Sequence, residues 1–287
     1  MGKNSRVTQT ENRMSRRVKG EHEATFRFYA ELNDFLPPAE RAVERRYCFD
    51  GKPSVKDAIE AMGIPHTEVE LILANGVAVG FDYHLRAGDR IAVYPVFETM
   101  DVAPLVRLRD RPLREIRFVL DVHLGKLARW LRLVGFDALY RTDLEDAEIA
   151  DLAAREKRVV LTRDVGLLQR KAITHGYWVR ADAPDVQVVE VLRRFQLDHS
   201  LQPFQRCLEC NGRIERVEKA GVWDRLEPKT RQFFDVFYRC ANCQKVYWAG
   251  SHYTRMLAKL NRVIGLEEKI AEKTLTTTSA DSSQKTG

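Results

Sequence analysis

Between Arg117 and Asp164 short apolar runs alternate with amphipathic stretches, and two of the runs end in aspartate. Arg-Phe-Val-Leu-Asp (117–121) is followed by Leu124, Leu127, Ala128, Leu131 and Val134, a helical stripe that Gly135 closes. Phe136–Tyr140 reads as a second strand, Ile149, Leu152 and Ala153 as the inner face of a helix, and Val159–Leu161 as a third strand before Thr162-Arg163-Asp164. Beyond it, Gly166–Thr174 reads as a helix, Tyr177–Arg180 as a strand, and Pro184 to about Phe195 as another helix. Strands alternating with helices predict a parallel sheet covered on both faces, an α/β/α layer. Such sheets gather their functional groups at the carboxyl ends of the strands, where Asp121 and Asp164 stand.

Asp146 precedes Ile149 by three positions and therefore belongs to the inward side of the intervening helix, whose capping box would be Thr142 with Glu145. Asp121, Asp146 and Asp164 would converge on one sheet edge, and clustered carboxylates repel one another unless a cation joins them. Mg²⁺ or Mn²⁺ suits oxygen ligands and can activate water against a phosphodiester. Asp143 or Asp182 would be a fourth acid, although each also suits a helix cap, and any one of these acids taken singly can be structural. Thr162 could hydrogen-bond a ligand carboxylate or a phosphate, and Arg163 could touch a substrate backbone. Lys126, Arg129 and Arg132 recur every three residues, as either a solvated charged face or a row that tracks phosphates.

The five cysteines contain two Cys-x-x-Cys pairs, Cys207/Cys210 and Cys240/Cys243, with Cys48 left over as a buried thiol. No apolar stretch follows the basic N-terminal residues, so no secretory signal is expected. Without one, paired cysteines point to a metal before disulfides. Two such knuckles make the closed tetrahedral site of structural Zn²⁺. Phe233, Phe234, Phe237, Tyr238, Tyr247 and Trp248 would supply the core of this ribbon, and Arg213, Arg216, Arg239, Lys245 and Arg255 make it basic. A helix from Ser251 with Met256, Leu257, Leu260 and Ile264 is expected to pack back on it.

Residues 24–97 form a smaller module. Ala24–Glu31 and Tyr47–Phe49 read as strands, Ser54 caps a helix from Val55 to Met62 closed by Gly63, and strands follow at Leu71–Leu73 and Arg90–Tyr94. This α+β order resembles the β-grasp fold. Val55-Lys56-Asp57-Ala58-Ile59-Glu60, Ile72-Leu73-Ala74-Asn75-Gly76 and Ala87 to Val96 are similar to the sulfur-carrier branch of ubiquitin-like proteins. Those carriers are activated on a C-terminal Gly-Gly, whereas here the chain runs on through Phe97-Glu98-Thr99-Met100. A docking or RNA-positioning role therefore fits better than carrier chemistry, with plain structural support as the other reading.

The expected organisation is a disordered tail at 1–23, the ubiquitin-like module at 24–97, a linker at 98–115, the α/β domain at 116–200, the ribbon and its helix at 203–265, and a disordered tail at 266–287. No apolar run approaches the ~20 residues of a membrane span, and the cytoplasm is the default compartment. A net charge of +6 favours polyanionic partners only mildly.

Asp121-x-x-Leu-Gly-Lys-Leu-Ala-Arg-Trp-Leu-Arg-Leu-Val-Gly-Phe-Asp137, the run from Asp146 and Leu161-Thr-Arg-Asp164 resemble the PIN-like ribonucleases of the Mut-seven C-terminal family. Arg206-Cys-Leu-Glu-Cys-Asn-Gly212 and Tyr238 to Met256 are similar to the zinc ribbon that ends that family. The resemblance covers about 117–256, and bacterial members often carry a ubiquitin-like domain in front. It implies a metal-dependent ribonuclease with Asp121, Asp146 and Asp164 as the matching acids. RNA is the expected polyanion, and a ribosome or tRNA is a further candidate partner. The partner of the ubiquitin-like domain stays open. The alternative is a non-catalytic RNA- or ribosome-associated module in which the ribbon does the binding. A third reading is a sulfur-carrier-related adaptor built on the first domain.

Overall fold

The computed structural model describes residues 20–95 and 116–265. The expected linker at 98–115 and tail at 266–287 lie outside those residues, as do residues 1–19. The chain divides into two compact units, the second comprising the residues from Leu113 onward apart from 168–171.

The first unit is a β-grasp. Its elements are β1 (His22–Phe28), β2 (Arg45–Phe49), helix α1 (Val55–Ala61), β3 (Val69–Ala74), β4 (Val77–Val79) and β5 (Arg90–Pro95). β1 therefore starts inside the span expected as a tail. The sheet order is β2-β1-β5-β3-β4, with β1 and β5 parallel and the other pairs antiparallel. Alternation puts Phe26, Phe28, Ile72 and Val93 on one face, where they pack with Val55, Ala58 and Ile59 of α1. Ser54 and Asp57 form a reciprocal capping box at the start of α1. Strand β4 was not expected. Asn75 and Gly76 both take positive φ, the geometry of a two-residue hairpin turn, which sends the chain straight back along β3.

The second unit begins with β6 (Phe118–Leu120), α2 (Gly125–Leu133), β7 (Ala138–Leu139), α3 (Asp146–Glu156), β8 (Val159–Thr162), α4 (Val165–Leu168), β9 (Gly176–Trp178) and α5 (Pro184–Arg194). The strands pair in the order β7-β6-β8-β9 and all are parallel. Helices α2 and α5 pack with Phe118, Leu120, Val159 and Leu161 on one sheet face, and α3 packs on the other side of β6 and β8. Gly135 ends α2 at φ +106, and a Cβ there would fall 2.3 Å from the carbonyl oxygen of Gln202, so both conformation and space require glycine. Two expectations fail in this region. Helix α4 is a single turn rather than the span 166–174. The cap of α3 is Glu145, whose capping-box partner is Glu148, and not Thr142.

The ribbon follows as β10 (Ile214–Val217), α6 (Pro228–Phe233), β11 (Phe237–Cys240) and β12 (Val246–Trp248), an antiparallel sheet in that strand order. The last helix, α7 (Ser251–Ile264), corrects the expectation that it packs back on the ribbon. Leu260 and Ile264 are buried in the α/β core beside Leu192, Val191 and Leu131, with Met256 and Val263 against them. The parallel sheet and the helix that follows the ribbon thus share one core. Among the described residues no helix is long and apolar enough to cross a membrane.

Candidate active site and metal centre

Asp121 follows β6 at the carboxyl edge of the parallel sheet and is 5% exposed. Its Oδ1 accepts the backbone N–H of His123 at 2.8 Å. Its Oδ2 accepts the backbone N–H of Arg163 at 3.1 Å and the hydroxyl of Thr162. The Thr162 oxygen in turn accepts the N–H of Asp164 at 2.9 Å. Thr162 is fully buried at the end of β8, beside β6, so the parallel register sets these two side chains next to each other. Three donors aimed at one carboxylate offset the cost of burying it. Tyr140 closes this edge. Its hydroxyl donates to the carbonyl of Val122 at 3.0 Å, and its ring lies so close to Gly125 that a Cβ there would be 2.7 Å away.

Asp164 is exposed, and its Oδ1 accepts the N–H of Gly166 at 2.8 Å. Asp146 is half-buried and is the first residue of α3, so it stands on the same edge, at a helix end that favours negative charge. The three acids therefore share an edge but are not gathered. Among the described residues, the one group of three or more metal-ligating side chains close enough to share an ion is the four cysteines.

Asp143 and Asp182, expected as a fourth acid or as caps, are not helix caps, and each is bonded to an arginine. Asp143 is tied to Arg141 through both carboxylate oxygens, at 3.0 and 2.5 Å, and this bond holds its carboxyl below the usual range. Asp182 accepts from the guanidinium of Arg163, and the cap of α5 is Ala183. Arg163 also donates to the carbonyl of Ala181, so its side chain is anchored at the sheet edge.

The basic row of α2 is corrected in part. Lys126 is exposed, and Arg129 is exposed and stands 3.5 Å from Glu209. Arg132 is 3% exposed and cannot track phosphates. Its Nε donates to the carbonyl of Ala138 at 2.9 Å, and one terminal nitrogen donates to the carbonyls of Leu208 and Glu209 at 3.0 and 2.9 Å.

Those two carbonyls belong to the first cysteine knuckle. The sulfurs of Cys207, Cys210, Cys240 and Cys243 all lie within 4.8 Å of one another, with 3.6 Å between Cys207 and Cys243 and 3.4 Å between Cys210 and Cys240. A tetrahedral zinc with bonds of about 2.3 Å would set its sulfurs ~3.8 Å apart, so the cluster could hold zinc with little movement. Burial pushes the Cys207 thiol up. The Tyr247 hydroxyl at 3.0 Å and the backbone N–H groups of Cys210 and Glu209 outweigh it and bring the thiol down to about 7.

Asn211 completes the attachment of the knuckle. Its side chain accepts from the Ala138 N–H at 3.1 Å and donates to Asp137 at 2.8 Å. Asp137 also takes a bond of 2.6 Å from Arg158 and lies 3.6 Å from Arg206. In the sequence Asp137 shows only as part of a motif, which does not reveal this junction. The available signal was a carboxylate at the amino end of a strand, with arginines before the neighbouring strand and before the first cysteine.

The aromatic residues of the ribbon divide. Phe237 is buried, with Phe234 and Trp248 packed near it, but Phe233 is 68% exposed and Tyr238 39% exposed, against the expectation that all serve as core.

A family profile described as the Mut7-C RNAse domain matches residues 116–260, and one described as Mut7-C ubiquitin matches residues 21–101. No curated protein matches the chain. Two crystal structures of one archaeal protein align with it. One is of H. volcanii small archaeal modifier protein 1, at 21% identity over 26% of this chain and 97% of that one, with a TM-score of 0.21. The other is of SAMP1 from Haloferax volcanii, at 22% identity over 26% and 96%, also with a TM-score of 0.21. With a profile match over half of its length, and a ubiquitin-like domain of the matching type in front, the chain belongs to the Mut7-C RNase domain family.

Proposed function

We propose that this protein hydrolyses RNA phosphodiester bonds at the carboxyl edge of the β6–β8 sheet, with Asp121 at the centre, Asp146 and Asp164 beside it, and Mg²⁺ or Mn²⁺ as cofactor. The observation that carries the reading is the Asp121 carboxylate, buried yet supplied with donors from His123, Thr162 and Arg163. A carboxylate offers about four lone-pair positions. The three donors leave one, on Oδ1, so Asp121 can take a cation without breaking any of these bonds.

A magnesium-type ion keeps several waters and needs only one or two protein carboxylates. The ungathered acids therefore fit an open site, with Asp121 and either Asp146 or Asp164 as direct ligands. When bound, the ion would neutralise phosphate charge and lower the pKa of a bound water. Thr162 holds the Asp121 carboxylate at one angle and joins it to the backbone of Asp164. Lys126, exposed on the first turn of α2, would meet the phosphates flanking the scissile bond. The four cysteines would hold Zn²⁺ in a closed, structural site.

A second reading, a non-catalytic module on RNA, a ribosome or tRNA, is favoured by the same separation of the three acids. An Asp121→Asn/Asp164→Asn double variant separates the two. Under the first reading, the parent degrades RNA with Mg²⁺ or Mn²⁺ and stops when the ion is chelated, and the variant binds RNA without cutting it. Equal cleavage by both proteins would contradict the site assignment. RNA binding without cleavage in either would favour the module.

A further inference from the structure

The insert between the two cysteine knuckles carries a surface that the carboxylate edge does not use. Pairing of β10, β11 and β12 places Arg216, Tyr238 and Tyr247 in one row across the ribbon sheet. The opposite face, with Val217, Phe237 and Trp248, is covered by Val222, Leu226 and Phe234. In the row of Tyr238, Arg216 and Tyr238 are exposed and Tyr247 is half-buried. Tyr238 is 39% exposed, and Val236, just before β11, is 44% exposed. The third member, Tyr247, is held in place by its hydroxyl on Cys207.

The charges on this insert are unequally satisfied. Lys219 pairs with Asp235 and Lys245 with Glu209. Among the described residues, Arg216 is exposed and makes no ion pair. Glu215 points to the other face of β10, opposite Arg239. An open aromatic ring with an unpaired arginine opposite it on the sheet suits a base and its adjoining phosphate, because every base offers a face for stacking and every linkage a negative charge. A duplex keeps its bases stacked on one another, so a ring of this kind selects unpaired nucleotides.

We infer that the Arg216–Tyr238 face binds single-stranded RNA, with Tyr238 stacking on a base and Arg216 holding the backbone. The inference rests on the ribonuclease reading, for which this face would be a grip on substrate apart from the carboxylate edge.

The test uses the full chain carrying Asp121→Asn, without divalent ions, and a fluorescent single-stranded oligoribonucleotide beside a duplex of the same length. Tyr238→Ala is expected to weaken binding of the single strand about tenfold and Tyr238→Phe to leave it within about twofold, because the stacking ring and not the hydroxyl is used. Arg216→Gln should reduce the salt dependence of log K by about 0.7, the share of one phosphate contact on a single strand. Zinc content and thermal melting of each variant show whether the ribbon is intact, and Arg216→Gln serves if Tyr238→Ala does not fold. Unchanged affinity in folded Tyr238→Ala and in Arg216→Gln, equal sensitivity of the duplex, or no RNA binding at all would each overturn the inference. Cleavage that survives Asp121→Asn while binding still depends on Tyr238 would instead remove the catalytic reading and leave this face standing.

Discussion

Arg132 of α2 donates from a single terminal nitrogen to the carbonyl oxygens of both Leu208 and Glu209, the two residues between the first pair of cysteines. The same guanidinium reaches the carbonyl of Ala138, so one side chain ties a helix, a strand end and the knuckle together. Arg132→Ala would leave these carbonyls without their donor in a buried place. A loss of about 2–4 kcal/mol from the second unit is expected, measured by denaturant unfolding. Arg132→Lys should recover little of it, since a lysine cannot present the same fork of donors.

Metal removal should reach beyond the ribbon. The knuckle is bonded to α2 and β7, and α7 leaves the ribbon to bury Leu260 and Ile264 in the α/β core. Stripping the cysteine centre with a strong chelator, or replacing Cys210 with serine, should therefore lower the melting temperature of the whole second unit. The tryptophan fluorescence of Trp130, which lies in that core, would report it in a chain with Trp178, Trp223 and Trp248 changed to Phe. A ribbon that lost its metal while the Trp130 signal kept its melting point would contradict this coupling.

Asp137 predicts an acid limb in stability. Burial works to raise its carboxyl, but hydrogen bonds from Arg158 and Asn211 and the charges of Arg158 and Arg206 outweigh burial and hold it below the usual range. Its stabilising contribution is present above the unfolded value of about 3.9 and is lost as the pH falls through the lower folded value. Unfolding of the second unit should therefore become easier below about pH 4, and Asp137→Asn should flatten that limb while lowering stability at pH 7.

The α/β alternation, the β-grasp order and the paired cysteines were legible because local periodicity and spacing carry them. What escaped depended on neighbours far along the chain. Lys126, Arg129 and Arg132 look like one row, yet each three-residue step turns about 60° around a helix, so Arg132 sits roughly 120° from Lys126. That rotation brings it beside buried Ala128 and Leu131, where distant Leu208 supplies the partner. Strand β4 was missed because exposed Val77 and half-buried Ala78 and Val79 show no clear alternation. The amphipathic stripe of α7 announced a buried face but could not name what buries it. Tyr238 and Phe233 were read as core by residue type alone, whereas the register puts Tyr238 on the face opposite Phe237, where it is exposed. At the carboxylate edge, the positions of Asp121 and Asp164 at strand ends followed from the pattern. The Thr162 bridge between them depended on the β6–β8 register.

That bridge makes Thr162 a positioning residue under the proposed function. Thr162→Val keeps the shape but removes both the donor to Asp121 and the acceptor for the Asp164 N–H. RNA cleavage should fall about 10- to 100-fold with RNA affinity unchanged, and Thr162→Ser should restore most of it. Single-turnover rates beside equilibrium binding decide the point.

The most direct test of the central claim is the single-turnover rate of RNA cleavage by the full chain and by its Asp121→Asn variant across a Mg²⁺ or Mn²⁺ titration. Asparagine keeps the size of the side chain but removes its charge and one of its two acceptor oxygens. The account predicts metal-dependent cleavage by the parent and a rate at least about 100-fold lower in the variant at every ion concentration. Rates within about twofold of each other, or cleavage that persists after chelation, would contradict it.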